Sequence, residues 1–356
     1  MDLATLERAD VEDAVFELGL PRFHGRQIFR WIHQRGVTDF EHMTDLARPD
    51  RTRLARTFTI ETPRVEVRQT SADGTLKMLL RLSDDRRIES VYIPDTPAQT
   101  FCVSTQVGCA MACAFCLTGR MGLARHLSAG EIAGQVRVLA HATGLAGRPF
   151  NVVLMGMGEP LHNYDATMKA LRMLADPQGL AVHPTRVTLS TVGLLPALAR
   201  LATEPVMPNI AISLHATTDA DRSRLVPVNR RYDLNALLDA CRAFPVRRRR
   251  RITFEYVLLA GVNDTPDDAR RLVRLLADIK AKVNLLPLNE APGIPFTRPS
   301  EADVNRFARV LAEHGLHVSV RKSRGRDIRA ACGQLIVEGT EPSAAQSLAG
   351  RLSGPA

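Results

Sequence analysis

No stretch of this sequence stays apolar over the roughly 18 residues that a membrane-spanning helix needs. The longest greasy region, Val192 to Ala216, is broken by Arg200, Glu204 and three prolines. The amino terminus, Met1-Asp2-Leu3-Ala4, has neither a basic n-region nor an apolar h-region, which predicts no signal peptide and a cytoplasmic protein without membrane attachment. Biased tracts are absent except for the arginine run Arg247–Arg251. With 45% hydrophobic and 24% charged residues, the composition excludes disorder and collagen-like structure. Cysteine is scarce. Six in a cytosolic chain do not make a disulfide framework, and they are unevenly placed: Cys102, Cys109, Cys113 and Cys116 fall together, while Cys241 and Cys332 stand alone.

The 356 residues suffice for two domains, or for one barrel with additions. Lysine and arginine exceed acidic residues by 9, and the pI is near 9.7. That balance suits a polyanionic partner, since Lys and Arg contacts to phosphate dominate nucleic-acid affinity.

Residues 1–60 read as a small helical module with a basic surface. Val11, Ala14, Val15 and Leu18 recur at helical spacing before Gly19-Leu20-Pro21. A second helix is predicted after Phe23-His24-Gly25, with Ile28, Phe29 and Ile32 inward and Arg26, Arg30 and His33 outward. Arg22, Arg26 and Arg30 are candidate RNA contacts. Residues 61–95 read as a β-meander turning at Asp73-Gly74 and Ser83-Asp84-Asp85. On its third strand Glu89 shares a face with Val91 and Ile93, a costly place for a carboxyl unless it is paired or protonated.

From residue 96 to 335 strands alternate with helices. The predicted strands are Gln99–Thr105, Asn151–Met155, Thr185–Leu189, Asn209–Leu214, Ile252–Leu259 and Lys282–Leu286, with a further one at His317–Val320. This alternation implies βαβ units on a parallel sheet. There are too many units for a small doubly wound sheet and too few for a closed eight-fold barrel, so a partial barrel is expected. Residues 336–356 read as a fraying tail.

The segment Gly108-Cys109-Ala110-Met111-Ala112-Cys113-Ala114-Phe115-Cys116 spaces three cysteines as C-x3-C-x2-C directly after the first barrel strand. Structural zinc wants four ligands. Three thiolates can hold three corners of an iron–sulfur cubane and leave the fourth iron open. The spacing resembles the radical S-adenosylmethionine (SAM) superfamily. That resemblance implies a [4Fe–4S] cluster on Cys109, Cys113 and Cys116, SAM chelated to the open iron, and cleavage of SAM to a 5′-deoxyadenosyl radical. The expected fold is α/β, a partial (βα)6-type radical-SAM barrel with an N-terminal helical module and a β-meander extension.

Working residues of a βα barrel sit at the carboxyl ends of its strands. Met155-Gly156-Met157-Gly158-Glu159-Pro160 follows the second strand and resembles the superfamily's GGEP motif, with Met157 in place of one glycine. Gly158, Glu159, Ser190, Ser213, Leu214, His215 and Asn289 are the implied SAM contacts.

Four further segments narrow the resemblance: Arg87 to Pro94, Cys102 to Cys109, Glu255 to Leu258 with Gly261-Val262-Asn263-Asp264, and Asp327 to Leu335. Together they are similar to the RlmN family of radical-SAM methyltransferases. These make 2-methyladenosine in 23S ribosomal RNA and, in some members, in transfer RNA beside the anticodon. The resemblance implies that Cys332 takes a methyl group from one SAM as a thiolate, with Arg324, Arg326 and Arg329 as its basic neighbours. A second SAM then yields the radical that activates this methyl for addition to the base. Glu89 would accept the proton, its pKa raised by the apolar face, and Cys102 would free the product through a transient disulfide. An external electron donor such as flavodoxin and a monomeric state are further expectations. Two alternatives stay open: the sister activity at adenine carbon 8, and a non-catalytic iron–sulfur protein that binds RNA or senses redox state.

Overall fold

The computed structural model describes residues 1–94, 99–246 and 250–337. The 95/96 junction, three arginines of the run Arg247–Arg251 and the tail from residue 338 lie outside the described residues.

Three helices open the chain: α1 (Arg8–Glu17), α2 (Arg22–His33) and α3 (Arg48–Thr57). Val11, Val15, Ile28, Phe29, Ile32 and Leu54 are fully buried in a cluster of their own. Such burial stabilises by about 1.5–3 kcal/mol per large side chain. Two expectations are corrected. Helix α2 already includes Phe23-His24-Gly25, because Pro21 at its N-cap holds φ at −58°. His33 is buried rather than outward, since it lies four residues after Phe29 and shares its face; the rings stand 4.3 Å apart. The Arg137 guanidinium lies 3.4 Å from its Nδ1.

Burial first, and Arg137 second, push His33 well below its ordinary value. The unfolded chain therefore takes up a proton below pH ~6.5 that the folded chain refuses, and stability falls as pH drops through that range. In urea melts at pH 6.5 and 5.5, His33→Phe should lose about 1 kcal/mol less between the two pH values than the parent. Equal losses would place the proton elsewhere.

The meander forms as expected from β1 (Arg64–Thr70), β2 (Leu76–Arg81) and β3 (Arg87–Ile93). It is continuous with the main sheet, because β3 pairs antiparallel with β4 (Thr100–Cys102). The parallel ladder then runs through β7 (Asn151–Leu154), β8 (Val187–Thr191), β9 (Asn209–Ser213), β10 (Ile252–Leu258), β11 (Ala281–Pro287) and β12 (His317–Val320). Among the described residues no pairing joins β12 back to β1, so this sheet does not close. The predicted strand Gln99–Thr105 is interrupted. After Val103 the chain leaves the β7 edge, and the Thr105 and Gln106 amides turn to Met157 O. It then forms a small hairpin, β5 (Gln106–Gly108) with β6 (Leu123–His126), around the short helix α4 (Leu117–Arg120).

The remaining helices are α5 (Ala129–Ala142), α6 (Tyr164–Ala175), α7 (Leu195–Leu201), α8 (Asp219–Leu225), α9 (Leu234–Ala243), α10 (Pro266–Leu276) and α11 (Glu301–Glu313). Their apolar faces, with the inner face of the sheet, form the large core that also holds Cys241. The predicted tail begins too early, since Val337 is buried and the Ile336 amide is hydrogen-bonded to Glu89.

Candidate active site

The three clustered cysteines lie between β5 and α4, on a loop pinned from several sides. Cys109 N donates to Gly122 O at 2.8 Å, Cys116 N to Cys113 O at 3.1 Å, and Ala114 N to Leu225 O at 2.9 Å. Gly108, at φ +77°, opens the loop; a Cβ there would stand 1.9 Å from Gly122 O, so no other residue fits. Cys109, Cys113 and Cys116 line one cavity of about 160 Å³. Burial drives all three thiols up, and the buried Arg222 guanidinium on α8 opposes this at Cys113. Thiolates here require a cationic partner.

The same cavity is lined by Gly158, Glu159, Ser190, Ser213 and His215. Glu159 accepts from Leu161 N at 3.1 Å and Val192 N at 3.0 Å, and burial raises its pKa to about 7. Gly158 (φ +107°) lines the cavity, and a Cβ there would meet the Gln106 side chain at 2.7 Å, so the glycine also lets this turn pack on β5. Met157 is fully buried, and its N–H donates to Ser104 Oγ at 2.9 Å. Ser190 and Ser213 hydroxyls lie 3.4 Å apart. His215 accepts from Val257 N at 3.0 Å and meets Phe115 edge-on at 4.8 Å between centroids; burial lowers its pKa to about 3, so the ring is neutral. Leu214 does not join them: its side chain is in the core.

Cys332 lines this cavity and also a second one of about 40 Å³, which Cys102, Asn289 and Arg321 share. Both thiols are free. Cys332 is reachable from solvent, while Cys102 is buried. Burial, then the neighbouring Cys332, push Cys102 up to about 12. Burial also raises Cys332. The cation that opposes this at both thiols is Arg321, directly after β12, rather than Arg324, Arg326 and Arg329. Arg324 does line the smaller cavity, but Arg326 and Arg329 are exposed. Asn289 does not line the larger cavity; its Nδ2 donates to Cys332 O at 3.2 Å and so holds the thiol loop.

Glu89 is buried on β3, but its surroundings are not purely apolar. Lys77 Nζ stands 2.8 Å from Oε1, and Oε2 accepts from Ile336 N at 2.9 Å. The carboxyl is paired, and the thiol loop is tied to it.

Comparison with known proteins agrees along the whole chain. The family model described as the radical SAM superfamily matches residues 103–276, and that of the ribosomal RNA large subunit methyltransferase N-terminal domain matches residues 1–60. The dual-specificity RNA methyltransferase RlmN of Anaeromyxobacter dehalogenans is 48% identical over 99% of this chain and 96% of its own length. The chain belongs to the RlmN family. The RlmN of Geobacter sulfurreducens is 49% identical over 94% of this chain and 92% of its own length. The crystal structure of a radical SAM methyltransferase from Sphaerobacter thermophilus superposes with a TM-score of 0.90 at 45% identity, covering 96% of this chain and all of that one. The α/β radical SAM fold is thereby established.

RlmN-family chains, as radical SAM enzymes, work with a [4Fe–4S] cluster and SAM, and the donor set here fits both. Among the described residues no three His, Cys, Asp or Glu side chains converge on one metal-ion position. Three thiols lining one cavity are the ligand set of a cubane in which each cysteine holds a different iron. Glu159, Ser190 and Ser213 line the same cavity as the three thiols. Four residues of this RlmN-family site escaped the sequence reading: Lys77, Arg222, Glu255 and Arg321. Only Glu255 stood in a quoted motif; nothing in local spacing brings the others to the site. Glu255 lines the larger cavity, with Oε1 accepting from Asn284 Nδ2 at 2.9 Å.

Of the three helical-module arginines proposed for RNA, two have partners within the fold. Arg22 pairs with Asp13 and Arg30 with Gln178, while Arg26 is exposed. Arg250 and Arg251 flank the amino-terminal end of β10, opposite the strand ends that carry the site. No helix of the described residues is long and apolar enough to cross a membrane.

Proposed function

We propose that this chain methylates carbon 2 of an adenosine in 23S ribosomal RNA at the peptidyl-transferase centre, and of the adenosine beside the anticodon in transfer RNA. One observation carries the reading: Cys332 faces both the cavity of the three-cysteine loop and the cavity of Cys102. A single thiol can thus meet the cofactor side and the resolving thiol without leaving its loop. Carbon 2 of adenine is electrophilic, so direct transfer of a methyl cation fails there and a carbon radical is needed.

Bound to the loop and the strand ends, the cluster and SAM would supply the methyl group and a 5′-deoxyadenosyl radical. The chain does the rest. Cys332 sulfur, as thiolate, would take the methyl carbon as that carbon's bond to the sulfonium breaks. The S-methyl would lose a hydrogen atom to the radical and its carbon would add to carbon 2, the odd electron then left on the ring passing to the cluster. Glu89 would take the carbon-2 proton, whose bonding pair restores the ring. Cys102 sulfur, as thiolate, would then bond Cys332 sulfur as the Cys332 sulfur–carbon bond breaks, its pair staying on the carbon, which takes a proton to become methyl. Two SAM molecules serve each turnover. A base must leave its stack to reach these cavities, so the target adenosine is unpaired or flipped. An electron donor such as flavodoxin, a monomeric state and a cytoplasmic location complete the proposal.

Anaerobically reconstituted enzyme, reductant, SAM and an RNA fragment should yield 2-methyladenosine on nucleoside mass spectrometry. Exclusive 8-methyladenosine would assign the sister activity. Iron-loaded protein that never forms 5′-deoxyadenosine would leave a redox or RNA-binding role.

A further inference from the structure

The Glu89 carboxyl is held by two elements that sequence order keeps far apart. From the neighbouring strand β2, Lys77 reaches Oε1 at 2.8 Å. Lys77 opposes Val91 and Glu89 opposes Leu79 in the antiparallel register, so the pair is diagonal on one face of the sheet. Both side chains are almost enclosed, at 10% and 5% exposure. A buried ion pair is a poor device for stability alone, since desolvation of both charges offsets much of their attraction. The residue type is also informative. The chain uses 5 lysines against 42 arginines, yet a lysine stands here. An arginine fork tends to take both carboxylate oxygens. The lysine point charge takes Oε1 and leaves Oε2 to the Ile336 amide of the thiol loop.

We propose that Lys77 is a positioning residue for the methylation step: it holds Glu89 as an ionised, oriented carboxylate whose Oε2 receives the proton from the adenine adduct. The inference rests on the proton-acceptor role given to Glu89 above. In the step, after the adduct's odd electron has left to the cluster, the C–H bond at carbon 2 breaks, its electron pair restores the ring, and the proton goes to Oε2. That oxygen has two lone pairs and can keep the Ile336 N–H while taking the proton. Lys77 transfers nothing in this step. A neighbouring cation weakens the base but keeps it charged in a site whose burial favours the neutral acid.

The test uses the anaerobic holoenzyme with an RNA fragment and four variants: Lys77→Met, Lys77→Arg, Glu89→Gln, and the Lys77→Met/Glu89→Gln double. Product nucleoside, S-methylation of Cys332 and 5′-deoxyadenosine are measured together. Lys77→Met should lower methylated adenosine about tenfold or more, with the ratio of 5′-deoxyadenosine to product rising in step. A 2-deuterated adenosine should become a slower substrate for Lys77→Met than for the parent. Lys77→Arg, which keeps the cation but whose fork also engages Oε2, should give more product than Lys77→Met and less than the parent, and Lys77→Met should add nothing to Glu89→Gln. The proposal is overturned if Lys77→Arg is no better than Lys77→Met, if the two losses multiply, or if Cys332 methylation falls in parallel with product, as a merely structural pair would give. A parent enzyme that neither methylates Cys332 nor forms 5′-deoxyadenosine would instead defeat the underlying reading.

Discussion

Cys102→Ala enzyme should finish its reaction with RNA covalently attached at Cys332. The two thiols line one small cavity of about 40 Å³, and no other cysteine lines it. Removing Cys102 therefore removes the sulfur able to displace the product, without touching the three-cysteine loop or the methyl acceptor. The protein–RNA species should approach one per chain in a denaturing gel, and turnover should fall about 10³-fold or more. Cys332→Ala should form no such species and no methylated nucleoside, because the bond to RNA runs through its sulfur. In the double variant the Cys332 loss must dominate. Equal absence of adduct in both single variants would remove this division of labour. Burial pushes Cys102 up to about 12, so it rests as a protonated thiol at neutral pH.

The second large effect belongs to the three-cysteine loop. Cys113→Ala should lose iron and its visible absorbance, and with them all SAM cleavage. Three protein thiolates are the fewest that leave a single iron open for SAM, so the loss of one removes the cluster rather than adjusting it. Burial raises the Cys113 thiol, with Arg222 opposing it. Rates of 5′-deoxyadenosine formation should drop about 10³-fold or more. A parent protein carrying zinc and no iron, or a Cys113→Ala protein retaining full iron and SAM cleavage, would overturn the cubane assignment. A fold control is available, because the α1–α3 cluster and the main core do not include Cys113.

Much of this was legible before any coordinates. Helices α6 and α9 begin and end where the apolar period says, at Tyr164–Ala175 and Leu234–Ala243. Such helices bury a continuous stripe that local sequence must encode. The cysteine spacing was legible for a similar reason, since one loop carries the whole ligand set. Hairpin β5–β6 was not, because strands of three and four residues are shorter than a period can register. His33 was misplaced because arginine neighbours were read as one outer face, when the turn geometry puts it beneath Phe29.

The order of strands and helices, the three-cysteine loop and the two distant thiols were determined by the sequence alone, since each depends on residues close in the chain or on a single side-chain type. Which charges face those groups was decided by tertiary structure. Lys77 meets Glu89 across two strands, Arg321 comes to both thiols from the end of β12, and Arg222 comes to the loop from α8. Electrostatic partners act through space over a few ångströms, and only the folded chain sets those distances.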